Sequence, residues 1–532
     1  MKRWNGWGTD EIDYHVPKSA LIFLADALGP PRASPTANYE DVVSLVPPSP
    51  LPDHPLVSTE SDQRLRHARG QSLPDWVALR FGEIERFPDG VAYPASEEEV
   101  EGIIAYGRET GARIIPYGGG SSVVGHINPM IGEQPVLTVD MSRLSRLLDL
   151  DETDRLATFG AGVSGPHIEA QLRAQGYTLW HFPQSFEYST LGGWIATRSS
   201  GQQSIHYGRI EDLFAGGSLV SPDGKLDLPP FPASAAGPDL RQLVLGSEGR
   251  LGVITSATMR IRPLPEQEDF HAAFFPDWPR AVVAVREIVQ AGIPISMLRM
   301  SDAEETATTL ILAGRARLIR MAERVLRTRG LREGKCMLLF GVTGGSKQVK
   351  RTRNEILDII GAHDGVHVGR IMGNEWRKSR FRTPYLRNTL WEAGYAIDTL
   401  ETAVPWSAVH VTKNAILQVL RHGLEAQNER VHAFGHLSHM YPTGASIYIT
   451  LIFRIAPSAA ETLERWRILK RAASEVIVEH GGTISHQHGV GVDHAPYLLA
   501  EKGELGLQAL ADVTRRFDPD GMMNPGKLFT PR

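Results

Sequence analysis

The sequence predicts an α+β protein with two or three structural units. Its 532 residues exceed what one hydrophobic core usually covers. Segments with strand and helix patterns alternate from Ser96 to Ile261, which is typical of an α/β unit. Pro263 and Pro265 end this unit, and a second set of strands and helices begins near Phe270. We therefore predict units at residues 88–265 and 266–485, with a C-terminal segment at 486–532.

The first 87 residues differ in composition from the rest of the chain. They are rich in proline and polar residues, with one apolar patch at 21–28 and a proline-rich passage at 47–55. This composition predicts an irregular N-terminal extension.

The first unit begins with a helix. Ser96 and Glu99 form a capping box, an apolar stripe follows, and Gly111 ends the helix. A second helix is predicted at 165–176, where Gly and Pro open it and Gly176 closes it. Strands are predicted at 113–115, 136–140, 157–160, 215–220, 225–228 and 253–261.

The second unit repeats this mixture of elements. Helices are predicted at 279–291, 302–329 and 348–362, and a capping box of Ser458 and Glu461 begins another that reaches His480. Strands are predicted at 272–275, 297–300, 336–342 and 446–454. The last is apolar and β-branched, so we expect it to be central in its sheet.

A glycine-rich loop at 116–125 reads Pro-Tyr-Gly-Gly-Gly-Ser-Ser-Val-Val-Gly, directly after a predicted strand. Glycine permits positive φ and close backbone approach, and converging N–H groups can wrap a diphosphate. The loop alone also fits a tight turn, because its spacing matches neither a Walker loop nor G-x-G-x-x-G. It indicates a nucleotide cofactor once further loops support it.

Composition and charge narrow the class of protein. A net charge of −5 and the lack of a basic run with aromatic residues exclude nucleic acid as the expected partner. The single Cys336 excludes an internal disulfide and a multi-cysteine metal site, fits a reducing compartment and is expected to be buried. The N-terminus lacks a signal peptide and no apolar stretch is long enough to span a bilayer, which predicts a soluble protein with peripheral membrane contact left open.

Four loops in order, at 116–122, 184–190, 197–200 and 248–254, resemble those of FAD-binding flavoproteins of the vanillyl-alcohol-oxidase type. Within that group the chain is most similar to the alkyldihydroxyacetonephosphate synthase family. The similarity runs from Trp4-Asn5-Gly6-Trp7-Gly8 through Gly192-Gly193-Trp194 and Arg209-Ile210-Glu211-Asp212-Leu213 to Ser485-His486-Gln487-His488-Gly489-Val490-Gly491.

The resemblance implies a two-part FAD-binding domain of the PCMH type, a cap domain on an antiparallel sheet, and a C-terminal segment that returns to the flavin. FAD is expected to be bound non-covalently. The cofactor-binding residues expected from the matching loops are Pro116, Tyr117, Gly118, Gly119, Gly120, Ser121, Ser122, Gln184, Ser185, Thr190, Thr197, Arg198, Ser199, Ser200, Glu248, Gly249, Leu251, Gly252 and Ile254.

In this family the acyl group of acyl-dihydroxyacetone phosphate is exchanged for a long-chain alcohol through a covalent adduct at flavin N5, without net redox change. The resemblance therefore implies lipid-like substrates, namely a phosphorylated ketone and a fatty alcohol. Residue by residue, Tyr448 matches the acid/base tyrosine, Arg299 the arginine that holds its charge, and Arg387 the phosphate-binding arginine. The other matches are polar active-site positions, at His181, Thr190, Thr399, His486 and His488.

Gln487 departs from the family, which usually has histidine at this position. An amide can form hydrogen bonds but cannot take a proton near neutral pH, so acid/base work there must pass to His486 or His488. Because of this difference from the family, the sequence does not determine which reaction the protein catalyses.

Other interpretations of these residues remain open from the sequence alone. Tyr448 also fits a core aromatic residue with a satisfied hydroxyl. To act as a base it needs a lowered pKa, which the charge of Arg299 could provide. Locally, Arg299 could instead pair with Asp302 or Glu304, and Arg387 with Glu392.

Two alternatives concern histidines. His436 and His439 could join the later histidines in a metal site. Metal-dependent 2-hydroxy-acid dehydrogenases of the superfamily carry Glu-His-Gly where this chain has Gln487-His488-Gly489, so we expect no metal. His126, just after the glycine loop, is a minor candidate for covalent flavin attachment.

The sequence thus predicts an FAD-dependent transferase of ether-lipid synthesis. An FAD-linked oxidase or dehydrogenase of a 2-hydroxy acid or alcohol is the alternative, and a non-catalytic flavin-binding protein is a further one. A homodimer is expected from the resemblance. The terminal Phe529-Thr530-Pro531-Arg532 is not a Ser-Lys-Leu address, so a cytoplasmic location is expected, with peripheral contact to a membrane left open.

Overall fold

The computed structural model describes residues 2–312 and 326–529. Within this part of the chain, no helix is long and apolar enough to cross a membrane. The predicted helix at 302–329 begins as a helix at Ala303–Leu312, and its middle, 313–325, lies outside the described residues.

The N-terminal region is not irregular, which corrects the prediction from its composition. It forms helices at Lys18–Leu28, Tyr39–Ser44, Ser61–Arg66 and Leu73–Phe81. Trp7 and Trp76 belong to the largest hydrophobic core, together with residues of the cap. These helices are short and are stabilised by packing on distant parts of the chain, so their local periodicity is too brief to reveal them.

The unit that carries the glycine loop contains two main sheets. The first joins Val57–Ser58, Gly90–Ala92, Val136–Asp140 and Arg113–Tyr117 in that order, with the last three strands parallel. The second is antiparallel and joins Leu147–Asp151, Leu156–Gly160, Val253–Arg260, Phe214–Ser221 and Gly224–Leu228. A third sheet pairs Arg262–Pro263 with Tyr177–Thr178.

Helices surround these sheets. They lie at Glu97–Thr110, Gly165–Arg173, Leu191–Ala196, Ser204–Tyr207, Ile210–Leu213 and Arg241–Val244. The predicted helix start at Ser96 is confirmed, because its hydroxyl accepts the Glu99 N–H. The C-terminal segment is helical over Leu498–Phe517, with a break at Gly503. It then returns to the FAD-binding unit, since Met523 makes a parallel bridge with Ile114 in the strand before the glycine loop.

The cap is built on a seven-stranded antiparallel sheet. Its order is Val366–Gly369, Gln267–Phe275, Cys336–Gly344, Met297–Ser301, Val431–Tyr441, Gly444–Arg454 and Tyr395–Pro405. The apolar strand predicted at 446–454 is therefore next to an edge strand and not at the centre. Its apolar pattern reflects burial of one face in the core and enclosure of the other in a cavity, because strand residues alternate between the two faces.

Helices cover one face of this sheet and leave the other open to the cavity. The long helices of the cap are Trp278–Gln290, Ser346–Ala362, Val409–His422 and Ala459–Glu479, and all contribute to the largest core. Shorter helices at Ile371–Ser379 and Leu386–Glu392 border the cavity.

Candidate functional site

A cavity of about 1100 Å³ lies between the glycine loop and the open face of the cap sheet. Its walls come from loops distant in sequence, including 116–123, 183–185 and 247–249, and from cap strands that carry Arg299, Thr399 and Tyr448. Most of the residues expected at the site therefore meet in one enclosed space, although the chain separates them by up to several hundred residues.

The glycine loop is shaped to receive an anion. Its glycines let it pack against a second loop, because a Cβ on Gly119 would lie 1.8 Å from the Tyr188 carbonyl oxygen and one on Gly118 would lie 2.2 Å from Thr190 Oγ1. Within the described part of the chain, the backbone N–H groups of residues 118–122 have no protein acceptor. Free N–H groups facing a cavity are the donors that a diphosphate requires.

The structure places most of the expected cofactor residues on the cavity wall. They are Pro116, Tyr117, Gly118, Gly119, Gly120, Ser121, Ser122, Gln184, Ser185, Thr190, Thr197, Ser199, Ser200, Glu248, Gly249, Gly252 and Ile254. Arg198 and Leu251 are not among the lining residues. Arg198 points away and its guanidinium bonds to Gln242, while Leu251 packs into a hydrophobic core.

The carboxylate of Glu248 binds the protein itself. It accepts the backbone N–H groups of Val490 at 2.6 Å and Gly491 at 2.8 Å, and lies 3.1 Å from His126 Nε2. The other His126 nitrogen, Nδ1, lies 2.8 Å from Ser122 Oγ. Glu248 thus joins the glycine loop to the C-terminal segment, and both ring nitrogens of His126 face protein partners.

Tyr448 faces the cavity from the cap sheet, and its hydroxyl bonds to Thr399 on the neighbouring strand. Desolvation raises the pKa of this phenol to about 12, although the Thr399 bond and the charge of Arg299 act in the opposite direction. The expected lowering of the pKa is therefore not observed. Desolvation has the largest effect on this pKa, and the nearby carboxylates of Glu401 and Asp398 raise it further.

Arg299 lies in a buried network of charges and pairs with neither Asp302 nor Glu304. Its Nη2 lies 2.5 Å from Glu305 Oε1 and 3.3 Å from His436 Nδ1. The His436 ring stacks on Tyr448 with centroids 5.0 Å apart. Burial lowers the pKa of His436, whereas the pKa of Glu305 falls to about 2 because the charges of its two partners outweigh its own desolvation. The carboxylate therefore offsets much of the charge on Arg299.

Arg387 has no carboxylate within ion-pair distance among the described residues, so the pairing with Glu392 does not form. Its Nη1 donates to the Gln71 carbonyl oxygen, and its guanidinium lies 4.5 Å from the centroid of Trp76. Nη2 is shielded from solvent without a hydrogen-bond partner. Arg387 lines the cavity and is available to an anionic ligand.

The turn 486–488 is held by Glu401, a residue that the sequence analysis did not identify. The side chain of Glu401 is fully buried. It accepts the backbone N–H groups of His486, Gln487 and His488 at 2.9–3.0 Å and the Ser485 hydroxyl at 2.9 Å. An isolated glutamate in a strand gives no sequence signal, because these partners lie more than 80 residues away.

Gln487 and His488 line the cavity, but His486 does not. The His486 Nε2 atom lies 2.8 Å from Arg209 Nη1 and 2.6 Å from the Tyr441 hydroxyl oxygen. Burial lowers the pKa of both histidines. Of the two histidines expected to replace the missing imidazole, only His488 therefore reaches the cavity.

His181 is also placed behind the wall. It is 1% exposed, packs on Trp194 and lies 3.3 Å from the Ser199 hydroxyl oxygen, and burial lowers its pKa to about 3. His436 and His439 line the cavity, but each bonds to protein groups, and no cluster of three or more metal-binding side chains occurs in the part of the chain that is described.

Two apolar walls extend the cavity beyond this polar centre. One carries Phe274, Met297, Met337, Leu339, Met372 and Trp376. The other carries Phe23, Leu24, Leu390, Ile397, Phe434 and Ile452. A polar centre between two apolar walls suits ligands with a polar head and long hydrocarbon chains.

Family comparisons define the class of the protein. The FAD binding domain family matches residues 88–227, and the family of FAD linked oxidases, C-terminal domain, matches residues 264–528. The chain is therefore an FAD-binding enzyme of the FAD-linked oxidase type. The free N–H groups of the glycine loop and the orphaned Asn524 Oδ1 on the cavity wall fit this cofactor.

Individual relatives identify the family more closely. The chain is 30% identical to alkyldihydroxyacetonephosphate synthase of Dictyostelium discoideum over 94% of this chain and 82% of that relative. A solved alkyldihydroxyacetonephosphate synthase structure covers 99% of both chains with a TM-score of 0.85 and 27% identity. A mitochondrial D-lactate dehydrogenase [cytochrome] of Arabidopsis thaliana is 26% identical over 89% of this chain and 78% of its own length. The chain belongs to the alkyldihydroxyacetonephosphate synthase family, which confirms the family and fold predicted from the sequence.

Proposed function

We propose that this enzyme exchanges the acyl group of an acyl-dihydroxyacetone phosphate for a long-chain alcohol. The observation that carries the proposal is a single cavity that combines FAD-binding loops, the Arg387 guanidinium with its unpartnered Nη2, and two apolar walls. The phosphate would bind at Arg387, and the hydrocarbon chains would lie against the walls. The family relationship to alkyldihydroxyacetonephosphate synthases supports the same chemistry.

The role of FAD, when bound, is nucleophilic chemistry at the carbon that carries the exchanged group. The protein then has to bind the phosphate, exclude water and control one proton. We assign the proton to the phenolic oxygen of Tyr448. Because its pKa is raised to about 12, the phenol is protonated at neutral pH before substrate binds and can donate a hydrogen bond to a substrate oxygen.

Deprotonation of Tyr448 requires compensation for the negative charge that forms. Thr399 bonds to the same oxygen, and the charge of Arg299 favours the phenolate. Glu305 reduces this assistance because it pairs with Arg299 at 2.5 Å. The arrangement therefore keeps the proton on Tyr448 until a substrate changes the electrostatics of the cavity.

The proposal is tested with palmitoyl-dihydroxyacetone phosphate and labelled hexadecanol under anaerobic conditions. We expect labelled alkyl product, free palmitate and no net bleaching of the flavin. Tyr448→Phe should retain FAD and lose about a hundredfold or more in exchange rate. Absence of exchange together with rapid flavin bleaching by a 2-hydroxy acid would instead identify an oxidase or dehydrogenase, and full activity of Tyr448→Phe would refute the assigned role.

We also propose that the enzyme is cytoplasmic, forms a homodimer and touches the membrane that supplies its lipids. Ile371, which lines the cavity and is 72% exposed, supports contact with lipid at the cavity mouth. Co-sedimentation of the holoenzyme with phosphatidylcholine vesicles and light scattering of the soluble form would measure the contact and the dimer.

A further inference from the structure

A further arginine on the cavity wall is Arg380, which the family resemblance does not assign. It follows the helix Ile371–Ser379 at the edge of the cap. Among the described residues, no carboxylate lies within ion-pair distance of it. Its Nη1 donates to Gln203 Oε1 at 2.6 Å, whereas Nε is buried and has no partner. Because a buried donor without an acceptor costs free energy, the Nε–H group of Arg380 is suited to a ligand that accepts a hydrogen bond.

The environment of Arg380 is aromatic and holds the side chain in place. Its guanidinium lies 4.2 Å from the centroid of Phe182, 4.9 Å from that of Phe381 and 5.6 Å from that of Trp376. Desolvation lowers its pKa to about 10, which still leaves it charged at neutral pH. The acidic group with the largest electrostatic effect on Arg380 is Glu268, and that carboxylate lies 3.4 Å from another arginine, Arg377. The site therefore presents a fixed positive charge.

The position of Arg380 relates this charge to the rest of the cavity. Its backbone carbonyl accepts the Gln184 side-chain N–H at 2.6 Å, so it adjoins a loop of the FAD-binding domain. Met372, Trp376 and Arg380 are spaced by four residues, which puts them on one side of the helix, and all three line the cavity. Over these eight residues the helix rises about 12 Å. The helix thus presents a charged residue, Arg380, next to the flavin loops and apolar residues of the first wall, Trp376 and Met372, farther from them.

We propose that Arg380 binds the carboxylate of a long-chain fatty acid whose hydrocarbon chain lies along Trp376 and Met372. This inference rests on the proposed function, because acyl-to-alcohol exchange releases such a fatty acid. When the ester C–O bond breaks, the electron pair leaves with the carboxylate oxygen. The incoming alcohol supplies the oxygen of the ether and releases its proton to water, so the exchange is balanced without a change of oxidation state. Arg380 would stabilise the departing anion, whereas Arg387 would hold the phosphate that remains.

Binding of decanoate and decanol to the holoenzyme by calorimetry tests this subsite, because the two ligands share a chain length and differ in charge. We expect wild-type protein to bind decanoate more tightly than decanol. Arg380→Gln should weaken decanoate binding about tenfold or more and leave decanol unchanged, since a charge-assisted hydrogen bond is lost. Arg351→Gln, in an arginine of the helix Ser346–Ala362 whose side chain is 83% exposed and does not line the cavity, is the control and should bind both ligands as wild-type protein does.

Two further measurements separate the inference from the proposed function. Arg387→Gln should keep decanoate binding and lose inhibition by inorganic phosphate; decanoate binding lost in Arg387→Gln but kept in Arg380→Gln would overturn the assignment. If acyl exchange is absent but decanoate still depends on Arg380, the proposed function fails and the carboxylate subsite stands. If exchange occurs and decanoate binding is the same in Arg380→Gln, the subsite fails and the function stands.

Discussion

Replacing Glu401 with glutamine should release the turn at 486–488 from its place at the cavity. The buried carboxylate accepts four hydrogen bonds, three from backbone N–H groups and one from the Ser485 hydroxyl. An amide retains only one accepting oxygen, so its NH₂ group would face the His486 N–H, which is also a donor. Glu401→Gln therefore removes both the charge and part of the bonding that hold His488 against the cavity.

The magnitude follows from these four bonds. A hydrogen bond to a charged group contributes about 1 kcal/mol more than a neutral one, so the turn loses about 4 kcal/mol of stabilisation. This corresponds to about a thousandfold change in the equilibrium between the held and released turn. We expect amide hydrogen exchange at 486–488, measured by mass spectrometry, to accelerate by up to that factor, and the rate of acyl exchange to fall.

Glu355→Gln is the control for this change. Glu355 is on the surface of the helix Ser346–Ala362, and its ion-pair partner among the described residues is the exposed Arg351, so its loss should alter neither measurement. If the amides of 486–488 in Glu401→Gln stay as protected as in wild-type protein, Glu401 does not hold the turn and the reasoning is wrong.

Two further predictions concern the cofactor loop and pH. Gly119→Ala should abolish stable FAD binding, because its Cβ would lie 1.8 Å from the Tyr188 carbonyl oxygen. Flavin fluorescence after gel filtration measures this binding. Gly102→Ala is the control, since Gly102 lies in a helix with open space around it, and this variant should bind FAD normally and gain about 1 kcal/mol of stability. Lys527 is fully buried, and desolvation lowers its pKa to about 7, below its unfolded value. Between pH 7 and pH 10 the unfolded chain therefore binds more protons than the folded one. The free energy of urea unfolding of wild-type protein, relative to that of Lys527→Met, should rise with pH over this range. If this difference does not change with pH, the lysine stays charged in the folded protein.

Local sequence was sufficient for most of the secondary structure, whereas the cofactor was predicted from the resemblance of four loops to a known family. Helix caps and apolar periodicity depend on neighbours a few residues apart, so the helix beginning after Ser96 and the strand Val136–Asp140 were predicted within a residue or two. The glycine loop by itself indicated only a close backbone approach, and its assignment to a nucleotide cofactor needed the other three loops. Family resemblance added Tyr448 and Arg387, and the structure places both in the cavity.

Only the tertiary structure decided which polar side chains face the cavity and with which partners. Arg299 pairs with Glu305 and not with its nearer acidic neighbours, and His486 turns toward Arg209 while His488 faces the cavity. Glu401 holds the turn at 486–488 because the register of the cap sheet puts it beside that turn and opposite Tyr448. These outcomes depend on contacts between residues that are distant in sequence, and on the cost of burying a charge without a partner, which no local pattern encodes.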